Sequence, residues 1–380
     1  MIYFDHQAST PLRANVLEAM MPHLTIEQGN PHSDHHAEGW RAADAIAHAR
    51  GQVAEAVGAD PNEIIFTSGA TEANNLAILG LCNKHNARKR IIVSAIEHKS
   101  VLAPARSLVP SGFELCILPV DADGVVDASV LAEALNDDVL LVSIQLVNNE
   151  IGSVQPIKSL AAMAREVGAI VHCDAAQAMA WNAPSVDELG VDLLSLSGHK
   201  MGGPKGVGAL YARHGVRESL RPMILGGEQE QGLRAGTLPT PLCVGLGSAC
   251  ATLPSADSVQ AWAALRDRFQ SRIGYHRPDM LVYGSQIARH PGNVCIRFPG
   301  VEADRLISLL QPNLAISRGS ACTSGLPEPS HVLRAIGLDA TACDQAIRIS
   351  IGPSNNDYDV DRAVDMILVA LADLENLNPV

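Results

Sequence analysis

Short apolar segments alternate with longer helical patterns between residues 63 and 211, and this alternation constrains the fold more than any other feature of the sequence. Several of these segments are nearly continuous runs of Val, Ile and Leu, which is typical of strands buried on both faces. Parallel neighbours need a crossover helix between them, so the pattern predicts an α/β fold with a mostly parallel sheet. Strands are predicted at residues 63–67, 90–95, 114–119, 139–144, 169–173, 193–196 and 207–211, and helices at 71–82, 98–108, 128–135 and 157–167.

The pattern changes after about residue 215. Residues 226–241 form a polar, glycine-rich stretch with two prolines, which is difficult to fit into a regular element. A chain of 380 residues is long enough for two folding units, and Pro254-Ser255-Ala256-Asp257 is the best linker signal, so we place the boundary near residue 255. Helices are predicted at 242–252 and 261–273, and the remainder, with predicted strands at 293–298 and 346–351 and helices at 301–310 and 357–374, indicates a smaller α+β unit.

Composition and charge exclude several classes of function. Lys and Arg number 28 against 41 Asp and Glu, so the net charge of −13 repels phosphate backbones and anionic lipid. Aromatic residues make up 3%, which is too few for base-stacking surfaces or membrane-interface belts. No apolar run approaches the roughly 18 residues that span a bilayer, and the first residues do not resemble a leader. We therefore expect a cytoplasmic protein with no direct nucleic-acid or membrane partner.

Eight cysteines are scattered along the chain without a CxxC pair or metal-ligand spacing, so we expect reduced thiols and no metal site. Most lie in apolar runs, as Cys116 and Cys295 do, which is typical of buried cysteines. Cys322 differs because it lies between Ser317-Arg318-Gly319-Ser320-Ala321 and Thr323-Ser324-Gly325, a polar segment that predicts an exposed loop. An exposed thiol is a liability unless the protein uses it.

Polar motifs follow several predicted strands, at the edge where open α/β sheets place their ligands. Ser68-Gly69-Ala70-Thr71 opens a helix, so it either binds a phosphate or caps that helix. Asp174 ends an apolar strand and either pairs with a buried cation or caps the next helix. His98 is either a structural histidine or a ring that stacks on a planar cofactor.

A lysine in the loop Ser197-Gly198-His199-Lys200 completes the set. A lysine held in a tight loop of glycine and proline beside a sheet edge is suited to Schiff-base formation, which requires an amine of lowered pKa. Lys205 competes for this role within the same loop, but Pro204 before it favours a turn. Together the motifs place a phosphate cradle, a cation partner, a ring stacker and a Schiff-base lysine at one sheet edge. These are the parts that hold pyridoxal phosphate.

Further motifs occur in a fixed order along nearly the whole chain. They are Tyr3-Phe4-Asp5, Gly29-Asn30-Pro31-His32-Ser33, Glu97-His98, Val147-Asn148-Asn149-Glu150, Gly226-Gly227-Glu228-Gln229-Glu230, Arg234-Ala235-Gly236-Thr237, Gly319-Ser320-Ala321-Cys322-Thr323-Ser324 and Pro329-Ser330-His331. With them the sequence closely resembles the cysteine desulfurases of the NifS/IscS type, which are class V aminotransferases. The resemblance implies the PLP-dependent transferase fold type I, with a mostly parallel seven-stranded sheet in a large domain and a smaller α+β domain. We expect the PLP-binding domain at residues 12–255, and the small domain with the reactive-cysteine loop at 1–11 and 256–380.

The resemblance also implies a role for each matched residue around the cofactor. Lys200 would form the Schiff base with pyridoxal phosphate, and Asp174 would pair with the pyridinium nitrogen. His98 would stack on the ring and move protons, while Gln177 and Asn149 would bond the phenolic oxygen or the substrate. The phosphate would be held by Ala70, Thr71, Ser197 and His199, with Thr237 contributed by the second subunit of a homodimer.

The implied reaction converts L-cysteine to L-alanine. Arg348 would clamp the substrate carboxylate, Lys200 would move the α-proton, and Cys322 would attack the substrate sulfur and keep it as a persulfide. The sulfur would then pass to an acceptor or iron–sulfur scaffold protein, for iron–sulfur cluster, thio-cofactor or tRNA assembly. The alternatives are a selenocysteine lyase or another class V aminotransferase, neither of which needs Cys322. A sulfur-binding protein without enzymatic activity is disfavoured because the catalytic residue types are present.

Some positions depart from the family pattern. His6-Gln7 stands where the family often has two Asn or a Tyr-Ser pair. Arg318 replaces a common Ser before the cysteine motif, and Pro353-Ser354-Asn355-Asn356 replaces the usual Arg-Phe-Thr-Thr. The sequence therefore constrains the substrate side and the sulfur acceptor less than it constrains the cofactor chemistry.

Overall fold

A computed structural model describes residues 1–82, 87–318 and 329–377. Its strands are β1 Ile2–Tyr3, β2 Ile64–Thr67, β3 Arg90–Ser94, β4 Glu114–Leu118, β5 Val139–Ser143, β6 Ile170–Asp174, β7 Leu193–Ser197, β8 Gly208–Ala212, β9 Leu281–Tyr283, β10 Asn293–Arg297, β11 Leu314–Ala315 and β12 Ala346–Ser350. Its helices are α1 Ala14–Thr25, α2 Ala37–Val57, α3 Ala70–Leu81, α4 Lys99–Ser107, α5 Ala128–Ala134, α6 Ile157–Glu166, α7 Val186–Leu189, α8 Thr240–Ala251, α9 Ala256–His276, α10 Ala303–Leu310, α11 His331–Ala335, α12 Ala340–Asp344 and α13 Asp357–Leu377.

The largest sheet has seven strands in the order β2-β8-β7-β6-β5-β3-β4. Strand β8 is antiparallel to both of its neighbours, while the other pairs are parallel, so every strand of this sheet except β8 runs in one direction. The predicted mostly parallel seven-stranded sheet is confirmed. The carboxyl ends of the co-directional strands meet at one edge, where open α/β sheets bind their ligands.

The sheet is buried from both faces by two hydrophobic clusters. In β2, Ile64 and Phe66 belong to one cluster and Ile65 belongs to the other. In β7, Leu194 and Leu193 are divided in the same way. Successive side chains of a strand point to opposite faces, so a strand covered on both sides is mostly apolar. This explains the continuous apolar runs in the sequence.

The C-terminal part of the chain builds a separate core. Strands β12, β10 and β9 form an antiparallel sheet, and β1 pairs in parallel with β11. The start of the chain joins this core, because Phe4 packs edge to face on Phe269 with ring centroids 6.4 Å apart. Ser255, in the predicted linker stretch, accepts a hydrogen bond from the Ser258 N–H and caps α9.

The sequence patterns do not predict α1 and α2, which precede the sheet and pack against α8. Helix α2 is 21 residues long and is capped after Val57 by Gly58, whose φ of 69° lies in the left-handed region that glycine favours. None of the described helices is long and apolar enough to cross a membrane.

A buried histidine joins three neighbouring strands through its side chain. His172 lies in β6. Its Nδ1 is 2.8 Å from Ser143 Oγ in β5, and its Nε2 is 3.0 Å from Ser195 Oγ in β7. Complete burial lowers the pKa of His172 from 6.5 to about 4. This ring is therefore neutral in the folded protein near neutral pH.

Acidification is expected to destabilise the protein through His172. The unfolded chain takes up this proton near pH 6.5 and the folded chain only near pH 4, so the free energy of unfolding falls as pH drops through that interval. His6, His199 and His290 have lowered pKa values and act in the same direction. The free energy of unfolding, measured with urea, should fall between about pH 7.5 and about pH 5 by a smaller amount in His172→Asn than in the original protein. Equal losses in both proteins would contradict this assignment.

Candidate active site

The predicted site residues lie where strands end at one edge of the large sheet. Asp174 is the last residue of β6, and Lys200 ends a short turn that follows β7. His98 precedes α4, after β3. Helix α3 begins at Ala70, after β2. Because these strands run in one direction, their ends converge on a single cavity of about 840 Å³.

Most of the predicted residues line this cavity. They are Ala70, Thr71, His98, Asn149, Asp174, Gln177, Ser197, His199, Lys200 and Arg348. Thr237 is exposed and does not line the cavity of its own chain in the described residues. The prediction for Thr237 is that it reaches the phosphate site of the second subunit. Cys322 lies outside the described residues.

The Asp174 carboxylate is buried and held in one orientation. Asp174 is only 7% exposed. The Ala176 N–H donates to Oδ1 at 2.9 Å, and Asn74 Nδ2 donates to Oδ2 at 2.7 Å. These partners are neutral donors, so they orient the charge without neutralising it. A buried carboxylate in this state is stabilised by a cation in the cavity beside it.

Backbone carbonyls near the start of the chain contact the lysine. Lys200 Nζ donates to the carbonyl oxygens of Gln7 at 2.5 Å and Ala8 at 2.9 Å. The Gln7 carbonyl also accepts a hydrogen bond from Gln177 Nε2 at 3.0 Å. The N-terminal segment therefore forms one wall of the cavity and places the Lys200 amine there.

The ring of His98 is open to the cavity, and its Nδ1 accepts the Ser100 N–H at 3.1 Å at the start of α4. Desolvation by the surrounding protein lowers the pKa of His98, and the neighbouring Asp174 carboxylate opposes that shift. Lys200, His331 and Lys99 lower the pKa further. The neutral form of the ring is therefore favoured.

One end of the cavity suits an anion. Helix α3 begins there with Gly69 as its N-cap, a residue with no side chain to occupy the first N–H groups. A Cβ on Gly208 would lie 2.4 Å from the Leu196 carbonyl and 2.7 Å from Gly69 Cα, so glycine permits this close approach. Burial, then Lys200 and Lys205, lower the pKa of His199 to about 4.

Charge in the cavity is opposite in sign to that of the whole chain. The lining residues include five Lys or Arg and two Asp or Glu, although the net charge of the protein is −13. The cations are Lys99, Arg106, Lys200, Lys205 and Arg348. A cavity of this kind attracts phosphate and carboxylate groups from solution.

Arg348 reaches the cavity from β12 and is already well bonded. Its NH2 donates to Asp5 Oδ1 at 2.7 Å and to Ser317 Oγ at 2.8 Å, and its NH1 donates to the Asn149 carbonyl at 2.7 Å. The residue is 2% exposed. These contacts fix the planar guanidinium, so a substrate carboxylate bound there would share Arg348 with Asp5.

The described residues on both sides of Cys322 are anchored, and Ser317 accepts a hydrogen bond from Arg348, which lines the cavity. Before Cys322, Arg318 forms ion pairs with Asp304 at 2.9 Å and with Asp344 at 2.7 Å. These ion pairs explain why an arginine, which departs from the family pattern, is accommodated at position 318. After Cys322, Ser330 Oγ donates to Glu150 Oε2 at 2.5 Å, and both residues line the cavity. The chain therefore returns to the cavity wall directly after the segment that contains Cys322.

Several residues in or next to the cavity have no predicted role. Ser100, two positions after His98, and His331, of the Pro329-Ser330-His331 motif, line the cavity. Asn74 lies in α3, is fully buried and donates to Asp174, which lines the cavity. Their polar side chains, close in sequence to predicted site residues, were the signal from which they could have been identified. Gln7 acts through its backbone carbonyl, which no residue pattern reveals.

This fold and site define a class of α/β enzyme in which a lysine, a buried carboxylate and the start of a helix surround one cavity. The sequence pattern of the family "Aminotransferase class-V" matches residues 2–363, and the chain belongs to that family. Members of this family use pyridoxal phosphate.

Individual relatives narrow the class further. "Cysteine desulfurase IscS" of Rickettsia massiliae (strain Mtu5) is 44% identical, over 100% of this chain and 93% of the relative. The structure of a "NifS-like protein" matches with a TM-score of 0.90 at 33% identity, covering 98% of this chain and 99% of the other. A structure described as "SspA in complex with cysteine" matches with a TM-score of 0.83 at 40% identity, covering 94% and 100%. Within the class V family, the chain belongs to the cysteine desulfurases.

Proposed function

We propose that this protein is a pyridoxal phosphate-dependent L-cysteine desulfurase that produces L-alanine and holds the sulfur as a persulfide on Cys322. The observation that carries the proposal is the convergence of Lys200, Asp174 and the start of α3 on one cavity, whose wall also includes the described residues that follow the Cys322 segment. The family membership and the relatives reported above support the same activity.

The residues present fit pyridoxal phosphate. The oriented Asp174 carboxylate requires a cation, and a protonated pyridine nitrogen is one. The start of α3, with Ser197 and His199 nearby, suits the phosphate. His98 provides a ring for stacking, and Gln177 and Asn149 provide amides for the phenolic oxygen or the substrate. Lys200 supplies the amine for covalent attachment.

When bound, pyridoxal phosphate supplies a ring that accepts the electrons released at the substrate α-carbon. Asp174 keeps the proton on the ring nitrogen and so keeps that ring electron-accepting. Arg348 binds the carboxylate of L-cysteine, and Lys200 removes and returns the α-proton. His98 Nε2 serves as a further proton donor or acceptor at the cavity.

Sulfur transfer is assigned to Cys322. Its thiolate attacks the sulfur of L-cysteine, forming an S–S bond while the Cβ–S bond breaks and its electron pair goes to the carbon fragment. That fragment takes up a proton and leaves as L-alanine, and the sulfur remains as a persulfide on Cys322. The step is balanced without an external oxidant.

The other cysteines are poor candidates for this step. The seven cysteines in the described part of the chain are free thiols, and none of them lines the cavity. Burial raises the pKa of Cys82, Cys243, Cys250 and Cys295 to about 12 each, so their reactive thiolate forms are scarce near neutral pH.

The proposed function includes a homodimeric state, a sulfur-accepting partner protein and a cellular location. The enzyme acts as a homodimer in which Thr237 of each subunit completes the phosphate site of the other. The persulfide sulfur passes to an acceptor or iron–sulfur scaffold protein for iron–sulfur cluster, thio-cofactor or tRNA assembly. The free thiols of the described chain fit a cytoplasmic location, where cysteines stay reduced.

The activity is tested by mixing the purified protein with L-cysteine and a reductant. Sulfide and L-alanine should appear in equal amounts. Cys322→Ser should abolish sulfide release and leave the yellow absorbance of the cofactor intact. Cys116→Ser, at a half-buried cysteine of β4 away from the cavity, is the matched control and should remain active. Undiminished sulfide release from Cys322→Ser would overturn the assigned step.

The second candidate is a selenocysteine lyase, since its chemistry uses the same cofactor site without Cys322. Cys322→Ser assayed with selenocysteine separates the two functions. Full activity on selenocysteine together with no activity of the original protein on L-cysteine would favour the lyase.

A further inference from the structure

Two buried polar residues connect Asp174 to His98 by a continuous chain of hydrogen bonds. Asn74 Nδ2 lies 2.7 Å from Asp174 Oδ2 and 2.8 Å from Ser100 Oγ. Ser100 Oγ in turn lies 2.7 Å from His98 Nδ1. Asn74 is 0% exposed and Ser100 is 8% exposed, so water does not compete for these bonds. We call Asn74 and Ser100 the relay pair.

The chemistry of the end groups fixes the direction of each bond. An ionised Asp174 carboxylate only accepts, so the Asn74 amide nitrogen must face it, because a flipped amide would set its carbonyl oxygen against the carboxylate oxygen. The same nitrogen donates its second proton to Ser100 Oγ. The Ser100 hydroxyl therefore has its own proton left to donate to His98 Nδ1.

His98 Nδ1 thus faces two donors. The Ser100 backbone N–H donates to it at 3.1 Å, and the Ser100 hydroxyl, whose proton is not used by Asn74, can donate to it at 2.7 Å. A ring nitrogen that accepts from two donors carries no proton, so the ring proton resides on Nε2. Protonation of Nδ1 would set its N–H against the Ser100 backbone N–H, reverse the hydrogen bond with the Ser100 hydroxyl, and place a positive charge at the N-terminus of α4, where cations are disfavoured.

We propose that Asn74 and Ser100 are positioning residues that hold His98 as the neutral Nε2–H tautomer and hold the Asp174 carboxylate in one orientation. The catalytic meaning of the relay pair rests on the proposed function, since that function gives His98 and Asp174 their tasks. The tautomer itself is a property of the protein and is measured without substrate.

Other charges also act on His98, and the test must separate them from the relay pair. Asp174 favours the imidazolium, whereas Lys200, His331 and Lys99 oppose it. Ser100→Ala leaves all of these groups and the backbone N–H at position 100 in place. The variant therefore isolates the hydroxyl bond.

The direct measurement is nitrogen NMR of the histidine rings in protein labelled with ¹⁵N-histidine, with and without added pyridoxal phosphate. The His98 signals are identified by their loss in His98→Gln. The original protein should show Nδ1 unprotonated and Nε2 protonated near neutral pH. A protonated Nδ1 in the original protein overturns the proposal, and this result needs no relay variant to fold.

The variants then test the cause. In Ser100→Ala, the pKa of His98 followed by NMR should rise by roughly 0.5 to 1, because a lost hydrogen bond to the neutral form is worth about 1 kcal/mol. The acidic limb of the kcat/KM profile on L-cysteine should move to higher pH by the same amount. Ser100→Thr keeps the hydroxyl and should restore both values. Ser107→Ala removes a hydroxyl at the other end of α4 and should match the original protein.

The outcomes distinguish this inference from the proposed function. If the original protein releases sulfide but Ser100→Ala leaves the pKa of His98 unchanged, the relay is wrong and the desulfurase stands. If the NMR results are as expected but the original protein releases no sulfide from L-cysteine, the relay stands and the proposed function is wrong.

Discussion

Lys200→Ala is expected to abolish the yellow Schiff-base absorbance of the purified protein and to lower desulfurase activity by about 10³- to 10⁴-fold. The amine is both the covalent attachment point and the base that moves the α-proton. It is placed for these tasks by two carbonyls at the start of the chain, those of Gln7 and Ala8. Absorbance spectra and sulfide release measured on the same preparations provide the readout.

Lys205→Ala is the matched comparison, because Lys205 lies in the same loop and lines the same cavity. This variant should keep the Schiff-base absorbance, with an effect limited to the affinity for the phosphate. Loss of the absorbance in Lys205→Ala and its retention in Lys200→Ala would reverse the assignment of the two lysines.

Asp174→Asn is expected to bind pyridoxal phosphate but to lower kcat by roughly 10²- to 10⁴-fold, because loss of one partner of a buried charge pair costs about 3–5 kcal/mol. The amide keeps the size of the side chain and removes the charge that holds the proton on the ring nitrogen. Sulfide release under saturating L-cysteine, together with the cofactor spectrum, measures the effect.

Asp192→Asn controls for general destabilisation. Asp192 is a buried aspartate that precedes β7; it accepts the Val171 N–H at 2.8 Å and pairs with Arg213 at 2.6 Å. Its replacement should lower the free energy of unfolding and leave kcat unchanged at temperatures where the protein stays folded. Equal losses of kcat in both variants would show that Asp174 acts through stability alone.

The sequence predicts the large sheet well because burial on two faces leaves a strong signal. The run predicted at 139–144 is β5, Val139–Ser143, and all of its residues are buried. The reversed direction of β8 was not predicted. Only ten residues separate Ser197 from Gly208, and no helix longer than a turn lies between them. Since parallel neighbours need a crossover helix, this short connection was the available signal.

The site was predictable to the extent that its chemistry lies in side chains at strand ends. Asp174, Lys200 and His98 were singled out for that reason, and they line one cavity. The contact of Arg348 with Asp5 joins residues 343 positions apart, and local patterns carry no record of such a pair. Backbone carbonyls such as that of Gln7 have no sequence signature, and the place of Thr237 depends on a second chain.

The central claim is that sulfur from L-cysteine is carried by Cys322. It is tested most directly by mass spectrometry of the protein after brief exposure to L-cysteine without reductant, followed by alkylation and proteolysis. The peptide that contains Cys322 should carry one additional sulfur atom, and peptides with the other cysteines should not. An additional sulfur found on another cysteine, with Cys322 unmodified, would contradict the account.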